Sequence, residues 1–239
     1  KDMACRTLLL KLERRGQIRL PARQRPNPNA LRNRQPLELP CDRTPIEGAL
    51  GDLQPLRIEP LGEGHPDLAL FRFLLQQHHY LGLRNSVGEN LKYLARDRHG
   101  RLLACLLFGA AAWKVKARDA WIGWSPAQRR DGLERLANNT RFLVLPWVHV
   151  PHLASHLLGQ IARRLSADWM AKYGHDIELL ETFVDRERFR GTCYRAAGWR
   201  HVGATAGRSR NDRDQALSVP VKDLYVQPLF PDFRRRLCP

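Results

Sequence analysis

The residues best placed to do chemistry sit in one short stretch. Leu179-Leu-Glu-Thr-Phe-Val-Asp185 is an apolar run that carries Glu181 and ends in Asp185, and Tyr194 follows within Gly191-Thr-Cys-Tyr-Arg-Ala-Ala-Gly-Trp199. Asp119, just ahead of Trp121-Ile-Gly-Trp124, is a third carboxylate that a sheet could bring beside the other two. Convergent carboxylates supply the hard oxygen ligands that Mg²⁺ takes, and paired ions cut phosphodiester bonds. Asp119, Glu181 and Asp185 are therefore the candidate metal ligands of a nuclease. The competing reading is structural: Glu181 pairs with an arginine, and Asp185 caps a helix that begins at Arg186.

His78-His79-Tyr80 closes an apolar helical pattern. His79 is a candidate general base, because imidazole titrates near neutrality. The alternatives are capping of the helix C-terminus or contact with phosphate. Tyr194 as a packing residue would lie against Trp199 with its hydroxyl bonded nearby. Cys193 has no evident partner base.

Charge narrows the partners. Forty Lys and Arg against 24 Asp and Glu give a formal net charge of +16, and Arg is far commoner than Lys. Guanidinium is a planar fork that matches phosphate and stacks on bases, so a nucleic acid is the favoured partner; an arginine-rich solvated surface is the bland alternative. The candidate phosphate contacts are Arg118, Arg141, Arg186, Arg188, Arg190, Arg208 and Arg210. Trp121, Trp124 and Trp147 could stack on single-stranded bases, with two of the three expected in the core. The five cysteines are scattered without a C-x-x-C pair, which speaks against a zinc knuckle and for a reducing, cytoplasmic setting. No apolar run approaches the roughly 20 residues of a membrane helix. The chain opens on Lys1-Asp2 and reads as a fragment with upstream sequence removed.

The pattern divides the chain into three. Residues 1–24 hold a helix over 2–15, stopped by Gly16, and a short strand over 17–20, as in the tail of a winged helix-turn-helix or a plain basic arm. Residues 25–52, rich in Pro and Arg, read as a linker. Residues 53–239 read as a mixed α/β domain, with helices over 68–77, 126–136, 151–173 and 186–197 and strands over 53–61, 90–97, 101–110, 142–147, 177–184, 199–204 and 217–226.

That order resembles the GNAT acyltransferase fold over about residues 53–227. Arg141-Phe-Leu-Val-Leu-Pro-Trp-Val148 resembles its splayed central strand, the helix from Leu153 its pyrophosphate-binding helix, and Tyr194-Arg-Ala-Ala-Gly-Trp199 its tyrosine and Gly-aromatic signature. The resemblance implies a mixed sheet flanked by helices, and Tyr194 as a general acid toward a thiolate. One departure bears on acetyl-CoA. The family's loop before that helix is glycine-rich, whereas His149-Val-Pro-His-Leu-Ala-Ser155 has no glycine and Pro151 lacks an N–H. Acetyl-CoA is accordingly not expected, and an acyltransferase would need a variant loop.

Whole phrases, among them Gly16-Gln-Ile-Arg-Leu-Pro21, Trp121-Ile-Gly-Trp124, Asn139-Thr-Arg-Phe-Leu-Val-Leu-Pro-Trp147, Glu181-Thr-Phe-Val-Asp185 and Arg188-Phe-Arg-Gly-Thr-Cys-Tyr194, resemble the DruA family. That family names a component of bacterial Druantia anti-phage systems, and its members are often labelled transposase-like. The resemblance implies a defence protein that acts on DNA beside a partner such as a helicase.

Overall fold

The computed structural model describes residues 2–21, 38–83, 88–205, 207 and 220–238. The chain forms two compact units, Lys1–Pro36 and Leu37–Pro239. In the first, α1 spans Asp2–Arg14 and stops at Gly16, whose φ is 69°. The expected strand over 17–20 does not form. A lone strand has no ladder to join, and Leu20 instead donates its N–H to the Glu13 side chain at 3.1 Å.

The second unit is built on a sheet. Its strands are β1 (Ile46–Glu47), β2 (Arg57–Pro60), β3 (Asn90–Arg96), β4 (Leu102–Ala110), β5 (Leu136–Val144), β6 (Val148–His149), β7 (Leu179–Asp185), β8 (Arg200–Ala204) and β9 (Lys222–Pro228). Seven of them form one sheet in the order β2-β3-β4-β5-β7-β9-β8, and β1 pairs with β6 in a separate two-stranded ribbon. Within the large sheet every pairing is antiparallel except β5 with β7. The helices are α2 (Leu50–Leu53), α3 (Leu68–His78), α4 (Lys116–Ile122), α5 (Pro126–Gly132), α6 (Leu153–Tyr173), α7 (Thr192–Ala196) and α8 (Phe233–Leu237). This is the expected mixed α/β architecture, a central sheet flanked by helices.

Two cores lie on opposite faces, because neighbouring strand residues point opposite ways. Leu180 and Val184 of β7 join Leu157, Ile161, Leu165 and Trp169 of α6 in the larger cluster. Leu179 joins Ile122, Trp124, Leu224, Val226, Phe233 and Leu237 in the smaller one. Trp124 and Trp147 are core residues, and Trp121 lies half-buried against Phe233 with ring centroids 5.2 Å apart.

Four sequence expectations need correction. Residues 38–52, assigned by composition to a linker, join the main unit: Ile46 is buried and pairs with Val148, and Leu39 and Cys41 pack on the core. The central strand starts at Leu136 rather than Phe142, and the preceding helix ends at Gly132 before a 3₁₀ turn over Leu133–Arg135. The polar run Asn138-Asn139-Thr140-Arg141 hid that strand. The helix expected over 186–197 is only Thr192–Ala196. Asp185 instead accepts the Glu187 N–H at 3.1 Å, and its carbonyl accepts those of Arg188 and Phe189, so the chain turns before the helix starts. Three short helices, α2, α4 and α8, were not anticipated.

Candidate functional site

The two central strands fork. β5 and β7 pair only over Leu136–Leu179, Ala137–Leu180 and Asn138–Glu181, yet both continue, to Val144 and Asp185. The reason is local. A bulge in β5 leaves Thr140 without a Cα partner on β4, between Asn139–Phe108 and Arg141–Leu107, and a bulge bends the strand that carries it. The Asn139 side chain holds this bend by donating to the carbonyls of Leu107 (3.3 Å) and Arg141 (3.1 Å). At the apex of the fork Thr182 donates its hydroxyl to the Asn139 carbonyl at 3.0 Å, and Tyr194 donates its own to Asn139 Oδ1 at 2.7 Å. Asn139, Thr182 and Tyr194 are all buried, so the apex is a closed polar clasp.

Beyond the apex the strands enclose a cleft of about 680 Å³, within the ~300–1,000 Å³ usual for ligand sites. Phe142, Leu143, Val144 and Val184 give it apolar walls, and Ala154, in the first turn of α6, closes one side. Gly191 admits the turn into α7. Its φ is 65°, and a Cβ there would lie 2.6 Å from the Tyr225 hydroxyl oxygen, so no side chain fits without displacing that ring.

The rim carries aromatic rings and cations. Tyr80, from the segment after α3, and Phe189, from the loop after β7, are 37% and 50% exposed. Their ring centroids lie 5.4 Å apart, and the Arg188 guanidinium sits 5.1 Å from the Tyr80 centroid. Arg141, Arg190 and Lys222 also line the cleft. Arg141 donates to the carbonyls of Gly82 (2.8 Å) and Thr140 (2.7 Å), which ties the rim to β5.

The expected metal trio does not gather. Glu181 is wholly buried, with one oxygen 2.7 Å from Arg118 and the other accepting the Ala112 N–H at 2.8 Å. Asp119 pairs with the same guanidinium at 2.8 Å and with Arg129 at 3.5 Å. Burial pushes the Glu181 carboxyl up, and Arg118 opposes that shift. Arg118 is therefore an internal counter-ion, fully buried and not available to phosphate. Asp185 lines the cleft instead, with its carboxylate turned to the Glu187 N–H and, at 3.9 Å, to Arg188. Among the described residues the one group of three with metal-ligand spacing is Glu59, His65 and Asp67, and there Asp67 already pairs with Arg96 at 2.9 Å.

The remaining expected residues divide. His79 lines the cleft, but its Nδ1 accepts the Leu81 N–H at 3.2 Å, leaving Nε2 as the protonated nitrogen. Burial, with help from Arg141, holds its pKa down to about 4, so the ring is neutral near pH 7. A neutral His79 in this tautomer donates from Nε2 and has no lone pair left for use as a base. Burial also keeps the Tyr194 phenol protonated, raising its pKa, while its hydroxyl is spent on Asn139. Arg186 pairs with Asp223 at 2.6 Å. Arg208 and Arg210 lie outside the described residues. Sequence reasoning missed Asn139 and Thr182, which hold the fork, and Phe189 and Lys222 at the cleft. Phe189 left one signal, an aromatic residue flanked by Arg188 and Arg190.

Comparison with known proteins adds three findings. The family model described as Druantia protein DruA matches residues 11–236. Similar solved structures include spermidine/spermine N-acetyltransferase SpeG from Vibrio cholerae in complex with manganese ions, 10% identical, covering 76% of this chain and 96% of that one, with a TM-score of 0.46. They also include spermidine N-acetyltransferase from Vibrio cholerae in complex with CoA and spermine, 10% identical, covering 72% and 92%, with a TM-score of 0.45. No curated protein matches the sequence.

Proposed function

This chain belongs to the DruA family, a component of Druantia anti-phage systems, and from that premise we propose that it serves there as a DNA-binding subunit gripping a strand at the mouth of the forked sheet. The observation that carries the reading is the rim. Two accessible rings, with the Arg188 guanidinium over one of them, stand at a cleft also lined by Arg190 and Lys222. Aromatic faces stack on bases of any sequence, and cations follow the phosphates. The chain then delivers DNA to a partner enzyme such as a helicase.

The test is fluorescence anisotropy with a labelled single-stranded oligonucleotide at rising salt. Log K should fall linearly with log salt, because each neutralised phosphate releases counterions. Binding that ignores salt, or no binding, overturns the reading.

A second reading is favoured by one observation: the cleft opens between the two middle strands, where the resemblance to acyltransferases places a coenzyme. Against it, Pro151 and His152 precede α6 in place of small glycines, and His152 adopts a left-handed φ of 64°. Calorimetry with CoA separates the two; saturable heat supports acyl transfer, and its absence removes it. The nuclease reading has lost its ligand set, since Glu181 and Asp119 are neutralised by Arg118 and Arg129.

A further inference from the structure

We infer that the fork admits one nucleotide turned out of the bound strand, with its base entering the cleft past the rim aromatics while its phosphates stay at Arg188, Arg190 and Lys222. This rests on the strand-binding reading above and adds what the cleft itself is for.

Four features converge on that occupant. First, the rim rings come from distant segments, Tyr80 after α3 and Phe189 after β7, and meet across the mouth at 5.4 Å. They are 37% and 50% exposed, so their faces can be reached from solvent. Second, the Arg188 guanidinium lies over the Tyr80 ring at 5.1 Å, so a cation that can also stack on a base already stands at the mouth. Third, the cleft behind them holds about 680 Å³ between walls from Phe142, Leu143, Val144 and Val184. That volume and those apolar walls suit a group the size of a nucleobase. Fourth, Arg190 and Lys222 line the cleft, whereas the polar groups of the apex are spent on one another, through Tyr194–Asn139 and Thr182–Asn139.

A flexible apolar tail would account for the cleft, but not for exposed rings with a guanidinium over one of them at its entrance. An intact duplex would meet the cations, but its bases could not reach the cleft. A base turned out of the stack meets both conditions, and proteins that handle single bases accept them this way, between aromatic or apolar side chains. Asp185 does not oppose the phosphates strongly, because its carboxylate already answers the Glu187 N–H and faces Arg188. His79, neutral at the rim, offers an Nε2–H donor rather than a second charge.

The experiment uses a single-stranded oligonucleotide carrying 2-aminopurine, which brightens when it leaves the base stack. Fluorescence and anisotropy are read on the same samples at saturating protein, so that occupancy is equal in every variant. With the unmodified chain the emission should rise several-fold. Ala154→Phe, which fills the cleft from the α6 wall, should return it to the level of the free strand. If circular dichroism shows that this variant does not fold, Phe189→Ala, at an exposed position, carries the test and should remove more than half of the rise. Binding by anisotropy with no rise in emission, or a rise that survives both substitutions, overturns the inference and leaves strand binding standing. Absence of binding by anisotropy removes both.

Discussion

Two arginine clusters sit on this molecule, and their residue types are nearly the same while their physics is opposite. In the first, Arg118 lies fully buried between Glu181 and Asp119, with Arg129 adding to the second carboxylate. Every charge is answered inside the protein, and the cluster positions β7 against α4. In the second, Arg188 leans on Tyr80 at the cleft mouth beside Arg190 and Lys222, with Asp185 as a distant counter-charge at 3.9 Å. Among the described residues Arg190 and Lys222 have no ion-pair partner. The difference lies in what each guanidinium already touches; Arg118 and Arg188 cannot be told apart by type.

Substitutions can break that contrast. The largest effect is expected at the internal cluster: Glu181→Ala takes one of two carboxylates from the buried Arg118 and leaves the Ala112 N–H without its acceptor, at a cost of up to about 3–5 kcal/mol, visible in denaturant unfolding. Loss of binding in proportion to loss of folded protein fits the account; a stable Glu181→Ala protein that has lost only a Mg²⁺-dependent cleavage would restore the nuclease reading. At the rim the expected pattern reverses. Arg188→Ala with Arg190→Ala should leave the unfolding midpoint unchanged, weaken binding roughly 10- to 100-fold, and lower the salt slope for a single strand by about 0.7 per arginine.

Smaller effects sharpen the comparison. Tyr194→Phe removes the bond to Asn139 and leaves a buried acceptor, at about 1–2 kcal/mol; the same loss with unchanged DNA affinity would place Tyr194 in the clasp alone. The smallest concerns pH. Burial and Arg141 hold the folded pKa of His79 near 4, so between about pH 6.5 and 4 the unfolded chain takes up a proton that the folded chain refuses. Stability contributed by neutral His79 is whole above that window and is lost as pH falls through it. Melting temperatures measured from pH 7 to 5 should fall, and fall less steeply in His79→Gln. Some slope should remain there, since burial lowers the His78 pKa as well.

The sequence made the regular elements legible and the site only partly so. Ser125 and Pro126 mark the start of α5, and the Ser125 hydroxyl oxygen caps it by accepting the Gln128 N–H at 3.2 Å, while the Ser125 N–H donates to the Gln128 side chain at 2.9 Å. The hairpin of β3 and β4 follows from the Arg98-His-Gly100 turn, and the long α6 from the Pro that precedes it and Gly174 that ends it. The first half of β5 was hidden because Asn138, Asn139, Thr140 and Arg141 do not read as a buried strand. Their polarity serves a bulge and a fork, which are tertiary facts. The cluster of carboxylates was found by type, but its partner Arg118 was read as a phosphate contact, because burial of an arginine is set by where α4 docks. Phe189 was passed over inside an arginine run taken for a helix, and the turn held by Asp185 places it at the mouth instead.

Photocrosslinking tests the central claim most directly. A single strand carrying 5-iodouracil is bound to the full chain, irradiated, and the attached peptides are read by mass spectrometry. The account predicts adducts on Tyr80 or Phe189, lost when Arg188 and Arg190 are both alanine. Adducts confined to Trp113 or Trp121, with the rim untouched, would contradict it.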